Sequence, residues 1–206
     1  MHANAFATAC IIESLVCTVK GQLLFVDVET GGLDAKKHSV LQLSYGAFLS
    51  DQGYHGPATI ETFYVIDTPI VVDPEALQYN GIDIQRVIRD GVNVNEACRR
   101  LHDFWRAWSG SKPVHMVAYN YALDLAFVRS LYGSGHYGQT MFEEMFSYRC
   151  VDMQSITRFL SMRHGERPGG FREACERYGV VNHKPHDAGS DVAAMMELWQ
   201  RLIMPT

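Results

Sequence analysis

The sequence predicts an α/β domain in which three leading strands pair antiparallel, two later strands follow, and helices pack on the resulting sheet. Three observations point there. Short apolar runs broken by turns occupy the first part of the chain, and helical apolar stripes occupy the rest. In addition, 47% of the 206 residues are apolar and 20% are charged, enough to bury a sizeable core. The same balance excludes a disordered tail and a disulfide-stapled miniprotein. No apolar run approaches the length of a membrane span. A net charge of −5 is not that of a duplex-coating protein.

Taken in order, Gln22 to Glu29 (QLLFVDVE) reads as a central strand that ends at the turn residues Thr30-Gly31-Gly32. Val40 to Leu49 and Thr59 to Ile66 are the second and third strands, separated by the turn-rich stretch Ser50 to Pro57. Helical spacing then takes over: Ala97, Leu101, Phe104, Trp105 and Trp108 form one apolar face. Pro113 to Tyr119 predicts a fourth strand, Ala122 to Tyr132 a helix, and Tyr148 to Val151 a short fifth strand. Phe171, Ala174, Cys175 and Tyr178 fall at helical spacing and stop at Gly179, a natural C-cap. Val192, Met195, Met196, Trp199, Leu202 and Ile203 form the stripe of a final helix. These Trp, Met and Cys positions are expected to pack the core rather than hold a cofactor.

Residues 1–20 are read as an N-terminal extension and 21–206 as a single domain. Met1 to Thr18 contains no Lys or Arg and so lacks the charged start of a secretory signal. The five cysteines (Cys10, Cys17, Cys98, Cys150, Cys175) are scattered and never spaced as CxxC, which argues against a zinc site or a disulfide framework. A reducing, cytoplasmic setting is expected.

Four acids stand where apolar residues belong. Asp27 and Glu29 close the first strand two positions apart, so both leave the face shared with Leu23 and Phe25. Asp124 shares a helical stripe with Phe127, Val128 and Leu131, and Asp191 shares one with Met195, Leu198 and Leu202. An acid at a helix start, such as Asp191 or its neighbour Asp187, can also be a cap. A buried carboxylate needs a cation, a donor or a raised pKa. If the four converge, their repulsion calls for divalent metal ions, hard cations that prefer oxygen ligands.

Together, D-V-E-T-G-G at 27–32, N-Y-A-L-D at 120–124 and H-D-A-G-S-D at 186–191 resemble the DEDDh exonucleases, the DnaQ-like branch of the ribonuclease-H-like fold. Asp73 to Asp83 (DPEALQYNGID) is similar to the segment before the middle helix in ribonuclease T and its relatives. The resemblance implies a mixed five-stranded sheet flanked by helices and two Mg²⁺ ions, with Mn²⁺ able to substitute. It implies 3′→5′ release of nucleoside 5′-monophosphates from the 3′ ends of single-stranded DNA or RNA. It assigns Asp27, Glu29, Asp124 and Asp191 to the metals and His186 to general-base work, for which an imidazole is suited near neutral pH. Thr30, Gly31, Leu33, Tyr79 and Asn120 are the expected substrate contacts, with Leu33 and Tyr79 gripping the last bases. Leu123 and Tyr119 depart from the Phe and His that many members carry, which bears on substrate fit rather than on chemistry.

Arg149 to His186 carries seven Lys or Arg against four acids, a stretch that either tracks a phosphate backbone or forms a solvated face. Two other readings use the same fold: a catalytically silent nucleic-acid-binding or partner-docking module, and a proofreading or repair subunit of a larger complex. A homodimer or a polymerase or repair partner fits either enzyme reading. The presence of all five motif residues disfavours the silent one.

Overall fold

The computed structural model describes residues 22–48 and 58–203. The expected N-terminal extension, the turn-rich stretch after the second strand, Leu49, and Cys10 and Cys17 lie outside the described residues. Strands β1 (Leu23–Thr30), β2 (Val40–Phe48) and β3 (Ala58–Ile66) form the leading antiparallel meander, with Asp27 opposite Ser44 and Ser44 opposite Thr62. Two seven-residue helices follow, α1 (Pro74–Asn80) and α2 (Ile84–Asp90). Then come β4 (Val92–Asn93), α3 (Val94–Ser109), β5 (Val114–Ala118), α4 (Tyr121–Ser134) and α5 (Gly138–Met145). The chain continues through β6 (Phe146–Asp152), α6 (Met153–Arg163), α7 (Phe171–Arg177) and α8 (Ala188–Ile203).

Among the described residues the sheet runs β4-β3-β2-β1-β5-β6, six strands where the sequence predicts five. The addition is β4, which pairs parallel to β3 through Val65–Val92 and Ile66–Asn93. Two residues carry no periodicity, so only the pairing defines that strand. β5 lies parallel to β1, and β6 parallel to β5, so three carboxyl ends meet along one edge. That edge is where an open α/β sheet builds its sites.

As a central strand, β1 is covered on both faces. Leu24, Val26 and Val28 pack in one core with Leu101 and Trp105 of α3 and with Phe127 and Val128 of α4. Leu23 and Phe25 pack in the other with Val192, Met195 and Leu198 of α8 and with Ala174 and Cys175 of α7. Each such aliphatic or aromatic side chain contributes roughly 1.5–3 kcal/mol when buried. Local chemistry sets the helix limits. The Asn93 side chain accepts the Glu96 N–H at 2.9 Å to start α3, and Gly110 stops it at φ 63°. Gly179, the expected stop, follows α7 at φ 68°.

Helix α6 follows an inverted pattern. It buries Met153, Thr157 and Ser161 and exposes Phe159 and Met162. The buried hydroxyls are satisfied at close range: Thr157 donates to the Met153 carbonyl at 3.0 Å and Ser161 to the Thr157 carbonyl at 2.8 Å. Apolar periodicity is blind to such a helix.

Candidate active site

The pleat of β1 aims Asp27 and Glu29 at the α8 side, where Leu23 and Phe25 are already buried. The β1–β2 register shifts between Glu29 and Thr30, and the chain then turns sharply. Gly31 makes that turn possible, because a Cβ there would lie 2.3 Å from the Val71 carbonyl oxygen. Its N–H donates to the Ser39 carbonyl at 2.8 Å, and its carbonyl accepts the Asp73 N–H at 2.6 Å. The Asn80 side chain donates to the Thr30 carbonyl at 3.1 Å, which fastens α1 over the end of β1.

Asp124 enters from α4, where one of its oxygens accepts the Val28 N–H at 3.1 Å, between Asp27 and Glu29. Asp191 lies in the first turn of α8, is buried, and accepts the His186 N–H at 3.2 Å as well as a bond from the Asn182 side chain. Gln42 of β2 clamps the start of α8 by accepting the Ala188 N–H at 2.9 Å and donating to Asp187 at 3.3 Å. Lys184 pairs with the same Asp187 carboxylate at 2.8 Å. Asp187 is thus the capping acid and Asp191 the inward one. His186 adopts φ 65°, a left-handed conformation rare for a residue other than glycine, and such strain persists where the surroundings enforce it. Its ring lies 4.4 Å from that of Tyr79, centroid to centroid.

The electrostatics follow from burial and crowding. Burial pushes the Glu29 carboxyl up to about 8, with Asp191, Asp124 and Asp187 adding repulsion. Asp27 is raised well above the carboxylate range by burial, then by Asp124, Asp191, Glu29 and Asp187. Burial lifts Asp124 to about 7 although the Val28 N–H opposes it. Asp191 is also raised by burial, against its bonds from Asn182 and His186. Burial opposes the ionisation of Asp187, yet bonds from Lys184, Gln42 and the Ser190 N–H outweigh it and hold this carboxyl below its usual value. Among the described residues, none of the four inward acids forms an ion pair with Lys or Arg.

A divalent cation fits this donor set. Among the described residues, Oδ2 of Asp27 is buried without a hydrogen-bond partner, and the four carboxylates offer hard oxygen ligands with no Lys or Arg paired to balance them. Ligand atoms of Glu29, His186 and Asp191 lie within 4.8 Å of one another, so the imidazole stands within reach of the same centre.

Of the expected substrate contacts, Tyr79 (73% exposed) and Leu33 (84% exposed) offer open apolar surface, and Asn120 stands exposed at the start of α4. Thr30 and Gly31 end β1 with groups already bonded within the chain: the Gly31 N–H donates to the Ser39 carbonyl, and the Thr30 hydroxyl donates to the Gly32 carbonyl at 2.7 Å. Residues not singled out in the sequence also shape the site. Asp152 closes β6 with Oδ1 buried and unpartnered, and its charge bears on Asp124. Its place at the carboxyl end of a parallel strand is the signal that could have found it. Gln42 and Asn182 carry no such signal.

The profile of the exonuclease family matches residues 24–199. Ribonuclease T of Haemophilus influenzae is 34% identical over 112 residues, covering 51% of this chain and 48% of that protein. Ribonuclease T of Shewanella denitrificans is 25% identical over 191 residues, covering 86% of this chain and 78% of that protein. The matched segment spans about half the length of the first curated relatives. Exonuclease I of E. coli, solved in complex with a dT13 oligonucleotide, superposes with a TM-score of 0.74 at 19% identity, over 89% of this chain and 41% of that one. That likeness shows the ribonuclease-H-like fold. With the profile running from β1 into α8 and thus across all three acid-bearing segments, the chain belongs to the exonuclease family.

Proposed function

We propose that this protein is a divalent-metal-dependent 3′→5′ exonuclease that releases nucleoside 5′-monophosphates from single-stranded DNA or RNA. The observation that carries the reading is the convergence of four carboxylates from three distant segments, unpaired with any Lys or Arg among the described residues, around Asp27 Oδ2, which has no hydrogen-bond partner there. Such a cluster is costly unless it serves to hold cations. Asp27, Glu29, Asp124 and Asp191 would hold two Mg²⁺ ions, with Mn²⁺ as a substitute. Bound there, the ions would supply charge neutralisation at the phosphate and acidify the attacking water.

The chain's own residues do the rest. His186 takes the water proton on a ring nitrogen; neither nitrogen is hydrogen-bonded among the described residues. Its backbone bond to Asp191 and its contact with Tyr79 fix the ring over the acids. Tyr79 and Leu33 grip the terminal base, and Asn120 offers an amide beside it. Ribonuclease T by name acts on RNA, and exonuclease I is seen with DNA, so both backbones belong in the test. The free thiols of Cys98, Cys150 and Cys175 accord with a cytoplasmic setting. Among the described residues no helix is long and apolar enough to cross a membrane.

The test uses 5′-labelled single- and double-stranded DNA and RNA, with Mg²⁺ or EDTA. A ladder shortening one nucleotide at a time from the 3′ end, abolished by EDTA, is expected. Internal cuts, shortening from the 5′ end, or turnover in EDTA would overturn the proposal.

A further inference from the structure

We propose that the outer face of α6 is a binding track for the single strand that enters the site, gripping phosphates and a base upstream of the 3′-terminal nucleotide. This rests on the exonuclease reading and deepens it. Three independent observations carry it.

The first is the inside-out pattern of the helix. Thr157 and Ser161 face inward while Phe159 and Met162 are each 60% exposed. Large apolar side chains turned to water beside charged ones mark a contact surface.

The second is charge. The α6 sequence, MQSITRFLSMR, contains no acid. Of the seven basic residues between Arg149 and His186, Arg177 pairs with Glu166, Arg172 with Glu173 and Lys184 with Asp187, while Arg149 donates to the Tyr148 hydroxyl. Arg158, Arg163 and Arg167 make no ion pair among the described residues. Elsewhere Arg99 and Arg100 are tied to Glu96 and Arg201 to Glu197, while Lys36, Arg106, Lys112 and Arg129, which also lack an ion pair among the described residues, are scattered over other elements. Exposed guanidinium groups without carboxylates are matched by phosphates, and an aromatic ring between them is matched by a base.

The third is placement. The Gln154 N–H donates to the Tyr119 carbonyl at 3.0 Å, and the Tyr119 hydroxyl bonds Thr157 at 3.1 Å, so α6 springs from the same strand end that leads into Asn120 and Asp124. Asp152, the residue before α6, sits beside Asp124. An 11-residue helix extends about 16 Å, roughly the span of five nucleotides at stacked spacing. The helix thus begins beside the acids, and the phosphates its basic face would hold are those left after the terminal one.

The test measures binding of fluorescent oligo-dT and oligo-U of 3, 6, 9 and 12 nucleotides in Ca²⁺, across salt. The proteins are the wild type, Arg158→Ala/Arg163→Ala, Arg158→Lys/Arg163→Lys and Phe159→Ala. Wild-type affinity should rise with length beyond three nucleotides. The double alanine variant should lose that rise and flatten the dependence of log affinity on log salt by about 1.4, the value for two single-strand phosphates. The double lysine variant should recover the slope. Phe159→Ala should weaken the longer oligonucleotides roughly 5- to 150-fold, the effect of one lost base stack. The dT and U arms show whether the track favours one backbone.

An unchanged slope and length dependence would overturn the track, and so would equal losses for the 3-mer and the 12-mer. An altered oligomeric state with unaltered binding would instead assign the face to a second protein molecule. Length-dependent binding by a wild type that never cleaves in Mg²⁺ would sink the exonuclease reading and leave the track standing.

Discussion

Metal-free protein should lose stability as pH rises, the reverse of ordinary acid denaturation. Glu29, Asp124, Asp27 and Asp191 all hold their protons more tightly in the folded chain than in the unfolded one. The folded state therefore binds more protons through this range. Their penalty is absent below the unfolded value near 4 and grows as pH climbs towards 8. Moving the Glu29 carboxyl from 4.5 to about 8 corresponds to roughly 3–5 kcal/mol once it is forced to ionise. The repulsion is shared with Asp124 and Asp27, so the cluster's cost is not a sum over its members. For a chain of 206 residues, that cost lowers Tm by on the order of 10 °C. Mg²⁺ at about 100 times its dissociation constant should return about 2.7 kcal/mol at pH 8. At pH 5, where the ligands stay protonated, it should return little. The assay is thermal unfolding from pH 5 to 8.5 in EDTA and in Mg²⁺. A metal-free Tm that is flat or rising across that range, or one to which Mg²⁺ adds equally at pH 5 and pH 8, would refute the reasoning.

Three substitutions probe the same cluster. Asp124→Asn removes one charge while keeping shape, so it should raise the metal-free Tm at pH 8 and abolish turnover; calorimetric titration should show Mn²⁺ binding weakened at one site. His186→Ala should slow single-turnover cleavage about 10²–10⁴-fold with Mn²⁺ affinity retained, whereas a parallel fall in affinity would make the imidazole a ligand. Tyr79→Ala removes an exposed ring, so Tm should hold while single-strand binding in Ca²⁺ weakens by about 1–3 kcal/mol. An unchanged dissociation constant would reject stacking, and a collapsed Tm would make the ring structural.

Much of the candidate site is legible in the sequence, because the direction in which its acids leave their elements depends on local periodicity. The two-residue repeat of a strand forces Asp27 and Glu29 to one face, and the helical repeat puts Asp124 and Asp191 on stripes that must be buried. The meander, the α3 and α8 stripes and the stop at Gly179 rest on the same local chemistry. Tertiary contact decided the rest. β4 is a strand only because β3 lies beside it. Gly31 spends its amide on Ser39, a partner fixed by the turn rather than by the motif. Gln42 reaches Ala188 across 146 positions, and Asp152 meets Asp124 only because β5 and β6 run parallel. Helix α6 escaped periodicity because two of its three buried residues, Thr157 and Ser161, are hydroxyls bonded to its own backbone, while Phe159 and Met162 are exposed. Which arginines are already paired could not be read from their spacing either, since an ion pair depends on distance in space. Sequence determines which way a side chain leaves its own element, and only the packed chain determines what it meets there.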